Sequence, residues 1–259
     1  MINPIELRHV DSHPPVVYGP VRSRRFGLSI GVNLMPAGLK LCSFGCIYCQ
    51  CGPTEARRRL AKHTPFPAIE NVERCLAAGL EKHPDVADIC FAGDGEPTLH
   101  PNFRDAVMVA RQLRDRLVPG AKVSVLSNGT QLPKSEVLAG LALADRRVVK
   151  LDAAIDSLFR RLDRPPAGLR VDVLIDRIAM IAGVETQTLL VRGEVDNSTD
   201  EALDALASAL QRIRPTAAQL MTISRRPTSL ALVPLTEREL AGAADRLRRA
   251  VPGLLVQVY

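Results

Sequence analysis

Cys42, Cys46, Cys49 and Cys51 fall within ten residues, and the whole chain has only six cysteines. Thiolates packed this closely ligate a metal or carry redox chemistry; without an export signal the disulfide alternative is disfavoured. The C-x3-C-x2-C spacing of the first three puts soft sulfur ligands on one short loop, with Gly45 easing its bend. Two readings follow. An iron–sulfur cluster held by Cys42, Cys46 and Cys49 alone keeps one iron open, as catalytic metal sites keep a position open, and that iron can take a small chelating molecule. A four-thiolate site recruiting Cys51 would instead be structural zinc or an electron-transfer cluster. Zinc sites usually pair two C-x2-C knuckles, so the three-ligand reading is preferred and Cys51 becomes a bystander. Cys75, on the apolar face of a helix, and Cys90, inside a strand, read as small core residues.

Such a loop needs a scaffold, and the rest of the chain supplies the pattern of one. Short runs rich in Val, Ile and Leu predict buried strands at 28–34, 89–92, 123–127, 148–151, 188–192 and 219–223. Amphipathic stretches at 68–82, 103–117, 135–143, 172–182, 200–213 and 237–250 predict helices between and after them. Thr199-Asp200-Glu201 and Thr236-Glu237-Arg238-Glu239 carry helix-start signals, a hydroxyl followed by acids. Sequential β/α units build a parallel sheet, so the expected fold is α/β, a partial (β/α)6 TIM-like barrel open on one side. Segment 254–258 can add an edge strand. One domain is expected over 1–259, with 1–27 as an N-terminal extension, 28–225 as the barrel and 226–259 as a C-terminal helix and edge strand. Sites in such folds lie at the C-terminal strand ends. Here those ends carry the cysteine loop, Gly93-Asp94-Gly95-Glu96, Ser127-Asn128-Gly129, Lys150 with Asp152, and Arg192-Gly193. Glycines beside Glu96 permit a close approach of ligand to backbone. His100 with Pro101 reads as a helix opening, and Asn197 as a turn residue.

Composition narrows the function classes. With 46% apolar and 24% charged residues the chain is not broadly disordered. No run approaches 18 uncharged apolar residues, and MINPIELRHVDSHPP has no apolar run after a basic start; neither a membrane helix nor a secretory signal is expected, and the location is expected to be cytoplasmic. The net charge is +6, and its whole excess lies in residues 1–62, which hold nine basic and three acidic residues. Arg22, Arg24 and Arg25 precede the first strand and Arg57, Arg58 and Arg59 follow the cysteine loop. If both groups flank the barrel mouth, they face an anionic partner or substrate. Aromatics make up only 3% and Trp is absent, which argues against a surface that grips single strands by base stacking.

The C-x3-C-x2-C motif, with Tyr48 before its last cysteine, resembles the cluster motif of the radical S-adenosylmethionine enzymes. Gly93-Asp94-Gly95-Glu96-Pro97 resembles that family's GGE-type motif, with Asp94 where a second glycine is common, and Ser127-Asn128-Gly129 resembles its third strand end. Gly19-Pro20-Val21-Arg22-Ser23-Arg24-Arg25, Gly31-Val32-Asn33, Cys49-Gln50, Glu96-Pro97-Thr98 and Leu151-Asp152-Ala153 are similar to the subgroup of the wyosine-synthesis enzymes and their bacterial relatives. The resemblance implies a 4Fe-4S cluster on Cys42, Cys46 and Cys49, and S-adenosyl-L-methionine held on its fourth iron. Tyr48, Gly93, Asp94, Gly95, Glu96, Ser127 and Asn128 would bind that cofactor, with Lys150, Asp152 and Arg192 as candidates for its ribose and carboxylate. It implies a flavodoxin- or ferredoxin-type electron donor and a 5′-deoxyadenosyl radical that abstracts hydrogen from substrate. A tRNA nucleoside is the first substrate class it suggests, a peptide or small metabolite the second. The wyosine enzymes hold a second cluster on upstream cysteines; no cysteine precedes Cys42 here, so the cofactor chemistry carries over and the wyosine substrate does not.

Overall fold

The computed structural model describes residues 15–54 and 65–259. Arg57, Arg58 and Arg59 lie outside the described residues. Six strands run in parallel in sequence order: β2 (Gly27–Val32), β3 (Asp88–Phe91), β4 (Lys122–Ser127), β5 (Arg146–Lys150), β6 (Val184–Gly193) and β7 (Ala217–Thr222). They form the curled sheet of a partial barrel, as expected. The predicted edge strand is present as β9 (Val256–Val258), parallel to β7. Two strands were not anticipated. β1 (Val17–Ser23) pairs antiparallel with β2, and β8 (Leu232–Pro234) pairs antiparallel with the end of β6. The stretch expected as an extension is therefore, where described, part of the sheet. Gly19 and Pro20, at the irregularity between Tyr18 and Val21, hide β1 in the sequence, because a proline demotes a strand reading.

The helices are α1 (Ile69–Lys82), α2 (Phe103–Leu117), α3 (Ser135–Leu143), α4 (Asp156–Leu162), α5 (Val171–Ala179), α6 (Asp200–Ile213) and α7 (Glu237–Ala250). Only α4 was unanticipated; at two turns it is too short to show a period. The helix-start signals work as read: Thr199 accepts from the Ala202 amide, and Thr236 with Glu239 closes a reciprocal capping box. None of the helices among the described residues is long and apolar enough to cross a membrane.

Strand alternation sorts the side chains into two sets. Ile30, Val32, Ile89, Phe91, Val123, Val125, Val149 and Leu190 join the main core under the helices. Their neighbours face the concave side, where Phe26, Cys90 and Val148 form a small apolar plug with Ala92 and Leu126. Cys90 is thus buried as expected but lies on the inner face; Cys75 is only partly buried and sits beside Asn71.

Candidate active site

The cysteine loop is pinned to the C-terminal edge of the barrel from several sides. The Leu41 amide donates to the Asp94 carbonyl at 2.9 Å, and the Glu96 amide donates to the Leu41 carbonyl at 3.0 Å. This miniature bridge explains Gly95: a Cβ there would lie 1.7 Å from the Leu41 carbonyl oxygen. On the opposite flank the Gly45 and Ile47 amides donate to the carbonyls of Asp163 and Leu162 at 3.0 Å. From the segment after β7, the Thr228 hydroxyl donates to the Cys49 carbonyl and the Ser229 amide to the Ile47 carbonyl.

Each motif sulfur meets a different donor. The Asn128 amide lies 3.5 Å and the Phe44 amide 3.4 Å from Cys42 Sγ. Lys150 Nζ lies 3.3 Å from Cys46 Sγ. Cys51 hydrogen-bonds to Cys49, and its thiol also reaches the Gly93 carbonyl at 3.7 Å. Burial pushes the Cys42 thiol up to about 11 and Cys46 well above the usual thiol range. Cys49 is held below that range by the hydrogen bond from Cys51, and Cys51 is raised in turn. Among the described residues no three His, Cys, Asp or Glu side chains converge on a single ion position. A cubane takes each thiolate on a different iron, so it does not require that convergence.

Glu96 stands beside this loop, 2% exposed. Its Oε1 accepts from the Thr98 amide at 3.2 Å, the Thr98 hydroxyl at 2.5 Å and the Ser127 hydroxyl at 2.8 Å. Among the described residues its Oε2 accepts the Asn128 amide alone, at 2.7 Å. One lone pair of Oε2 is left over by this count. Burial raises the Glu96 pKa, opposed by the hydrogen bonds it accepts. Asn128 ties the site together, since its amide nitrogen serves both Cys42 and the Ser43 hydroxyl. Asn33, which the sequence marked only as part of the Gly31-Val32-Asn33 resemblance, accepts the Asp94 and Met35 amides and so shapes the Gly93–Glu96 turn.

Lys150 and Asp152 differ from expectation. The Lys150 ammonium spends its three donors on Cys46, Asp152 and Asp163, the last at 2.5 Å. Burial works against that charge, but the two carboxylates outweigh it and hold Lys150 above the ordinary lysine range. Asp152 accepts Lys150 and the Tyr48 hydroxyl on one oxygen and the Leu189 amide, at 2.9 Å, on the other. Both groups, and Tyr48 with them, serve the cysteine loop and the β5–β6 seam rather than open space. Asn197 completes that seam as a buried cross-link, bonding the Asp152 and Leu189 carbonyls and the Val191 amide, and is more than a turn residue. Asp163, at the end of α4, was missed altogether; nothing local in the sequence marks it.

Two further groups lie elsewhere than expected. Arg192 alternates onto the helix side of β6 and pairs with Glu239 of α7 at 2.6 Å, away from the cysteines. Arg22, Arg24 and Arg25 lie at the β1–β2 turn, the N-terminal end of the parallel strands, not at the mouth. Arg25 turns inward there, bonding Gln187 at 2.5 Å and Gln219 at 3.2 Å. At the mouth the described arginine contact is Arg225 to Gln50, at 3.1 Å. His100 is buried, its ring bonded to the Pro67 carbonyl and the Asn102 amide.

Comparison with known proteins agrees with this geometry. Residues 39–206 match the family model described as the Radical SAM superfamily. The UPF0026 protein of Synechocystis sp. is 34% identical over 232 residues, covering 89% of this chain and 81% of that protein. A protein named GTPase Obg, from Brachyspira hyodysenteriae, is 29% identical over 231 residues, 88% of this chain but only 32% of its own length. The crystal structure of Streptococcus suis SuiB bound to S-adenosylmethionine superposes with a TM-score of 0.63 at 15% identity. That match covers 85% of this chain and 48% of SuiB, and at such identity it shows the fold alone. A curled parallel sheet, three motif cysteines at its C-terminal edge and a family match spanning both identify the chain: it belongs to the Radical SAM superfamily.

Proposed function

We propose that this chain is a radical enzyme holding one 4Fe-4S cluster on Cys42, Cys46 and Cys49, with S-adenosyl-L-methionine beside Gly93–Glu96. The observation that carries the reading is the set of donors aimed at the motif sulfurs from separate strand ends, next to a buried carboxylate with capacity to spare. Sulfur hydrogen bonds of this kind are what orient and tune a thiolate-bound cluster. When bound, the cluster would supply one electron to the sulfonium of S-adenosylmethionine, releasing methionine and a carbon radical that takes a hydrogen atom from substrate. The residues around it bind and orient. Glu96 offers Oε2 to the cofactor's amino group, and the Gly93–Gly95 backbone allows close approach. Ser127 and the Asn128 amide keep the carboxylate in place. An acidic flavodoxin- or ferredoxin-type donor fits the mouth, where Arg225 and Gln50 lie beside the cysteine loop. The basic residues before β2 do not favour RNA, because they sit at the other end of the barrel.

Anaerobic reconstitution of the full chain tests the reading. The parent should take up four irons and, with dithionite and S-adenosylmethionine, release 5′-deoxyadenosine. Serine at Cys42, Cys46 or Cys49 should abolish both, whereas Cys51→Ser should keep both. Absence of 5′-deoxyadenosine from the loaded parent sinks the enzyme reading, and collapse of Cys51→Ser replaces the three-ligand site with a four-thiolate one.

A further inference from the structure

Lys150 is an unusual neighbour for a metal ligand. Its side chain is 14% exposed, and its two acidic partners, Asp152 and Asp163, are 0% and 1% exposed. The ammonium stands 3.3 Å from Cys46 Sγ and 4.3 Å above the Tyr48 ring. Tyr48 itself bonds Asp152, so the aromatic wall, the carboxylate and the cation are locked as one unit. An ion pair needed only to join β5 to the end of α4 would not require the third donor to rest on a motif sulfur. Three features converge there: a charge removed from water, a fixed direction toward sulfur, and a second carboxylate that trims the positive field.

We propose that Lys150 tunes the reduction potential of the cluster at Cys46, with Asp163 as the counterweight that limits the effect. The inference rests on the cluster assignment above. Reduction adds one negative charge to the cluster. A donor cation on a ligating sulfur stabilises the reduced form more than the oxidised one, and a nearby carboxylate does the reverse. In a site with little water these interactions are weakly screened. Lys150 thus makes the electron easier to accept, and Asp163 keeps the reduced cluster a strong enough donor to pass it on.

The test is a redox titration of the reconstituted full chain followed by electron paramagnetic resonance, with iron content measured in parallel. Lys150→Met should lower the midpoint so that the reduced fraction at a fixed potential falls about tenfold, ~59 mV for a one-electron couple. Lys150→Arg should remain near the parent. Asp163→Asn should move the midpoint the other way, by less. A purely structural triad would change stability or loading without shifts of opposite sign. If Lys150→Met fails to load, Asp163→Asn decides: a loaded variant with the parent's midpoint overturns the proposal. Movement of both variants in one direction, or an unmoved Lys150→Met, also overturns it. If the parent takes up no cluster, the functional reading fails instead.

Discussion

The two ends of this barrel bury charge in different ways. At the floor, Arg25 crosses from the β1–β2 turn to Gln187 and Gln219, and Gln219 passes a bond on to Glu185 at 2.6 Å. Arg146 pairs with Asp88 at 3.1 Å, and both arginines stack on Phe26. These groups spend most of their bonds on one another, although the buried Asp88 Oδ2 has no partner among the described residues. At the mouth, donors from β4 and β5 end on sulfur, and Glu96 retains acceptor capacity. A polar cluster whose donors end on its own amides and carboxylates is a structural element; one whose donors end on sulfurs proposed to hold a cluster would be prepared for a guest.

Three variants press on that contrast. The largest effect is expected from Gly95→Ala, which drives a Cβ into the Leu41 carbonyl oxygen. It should cost ~3 kcal/mol or more in stability, as severe overpacking does, and should lower iron uptake, read by thermal melting and iron assay. Next is Arg25→Met. Losing its bonds to Gln187 and Gln219 should cost about 1–3 kcal/mol, while reconstituted iron content stays at the parent level; a loss of iron would erase the distinction between the two ends. The last, a dependence on pH rather than a fixed loss, is Asp88→Asn. Burial raises the Asp88 pKa to about 6, against ~3.9 when unfolded. Because the folded value is the higher one, the protonated carboxyl favours folding. Stability from this group is full below pH ~4 and declines, by ~3 kcal/mol at most, as pH rises through 6. The melting temperature of Asp88→Asn relative to the parent should therefore improve from pH 4 to pH 7; a difference that does not vary with pH rejects the assignment.

Much of the scaffold was legible because its signals are local. The periods of α2, α3, α6 and α7 and the apolar runs of β2–β7 lie within single segments, and their bounds emerged almost unchanged except at β6, which begins at Val184, four residues early. The three motif cysteines stood out through spacing, and the Gly93–Glu96 turn through its glycines at a strand end and a family resemblance. What escaped depends on contacts made only once the chain is folded. Arg25 meets Gln219 across 194 positions, and Asp163 meets Lys150 only because α4 folds back beneath the cysteine loop. The face chosen by Arg192 turns on strand register, which a one-residue slip would invert. Counting basic residues along the chain likewise could not show that Arg22–Arg25 and the cysteine loop sit at opposite ends of one short strand.

The bond from Thr228 to the Cys49 carbonyl spans 179 positions. During synthesis the cysteines leave the ribosome long before the segment that braces them. The loop gains its full set of contacts only after nearly every β/α unit is in place. A cluster on these cysteines would therefore meet its full brace only once the scaffold is in place.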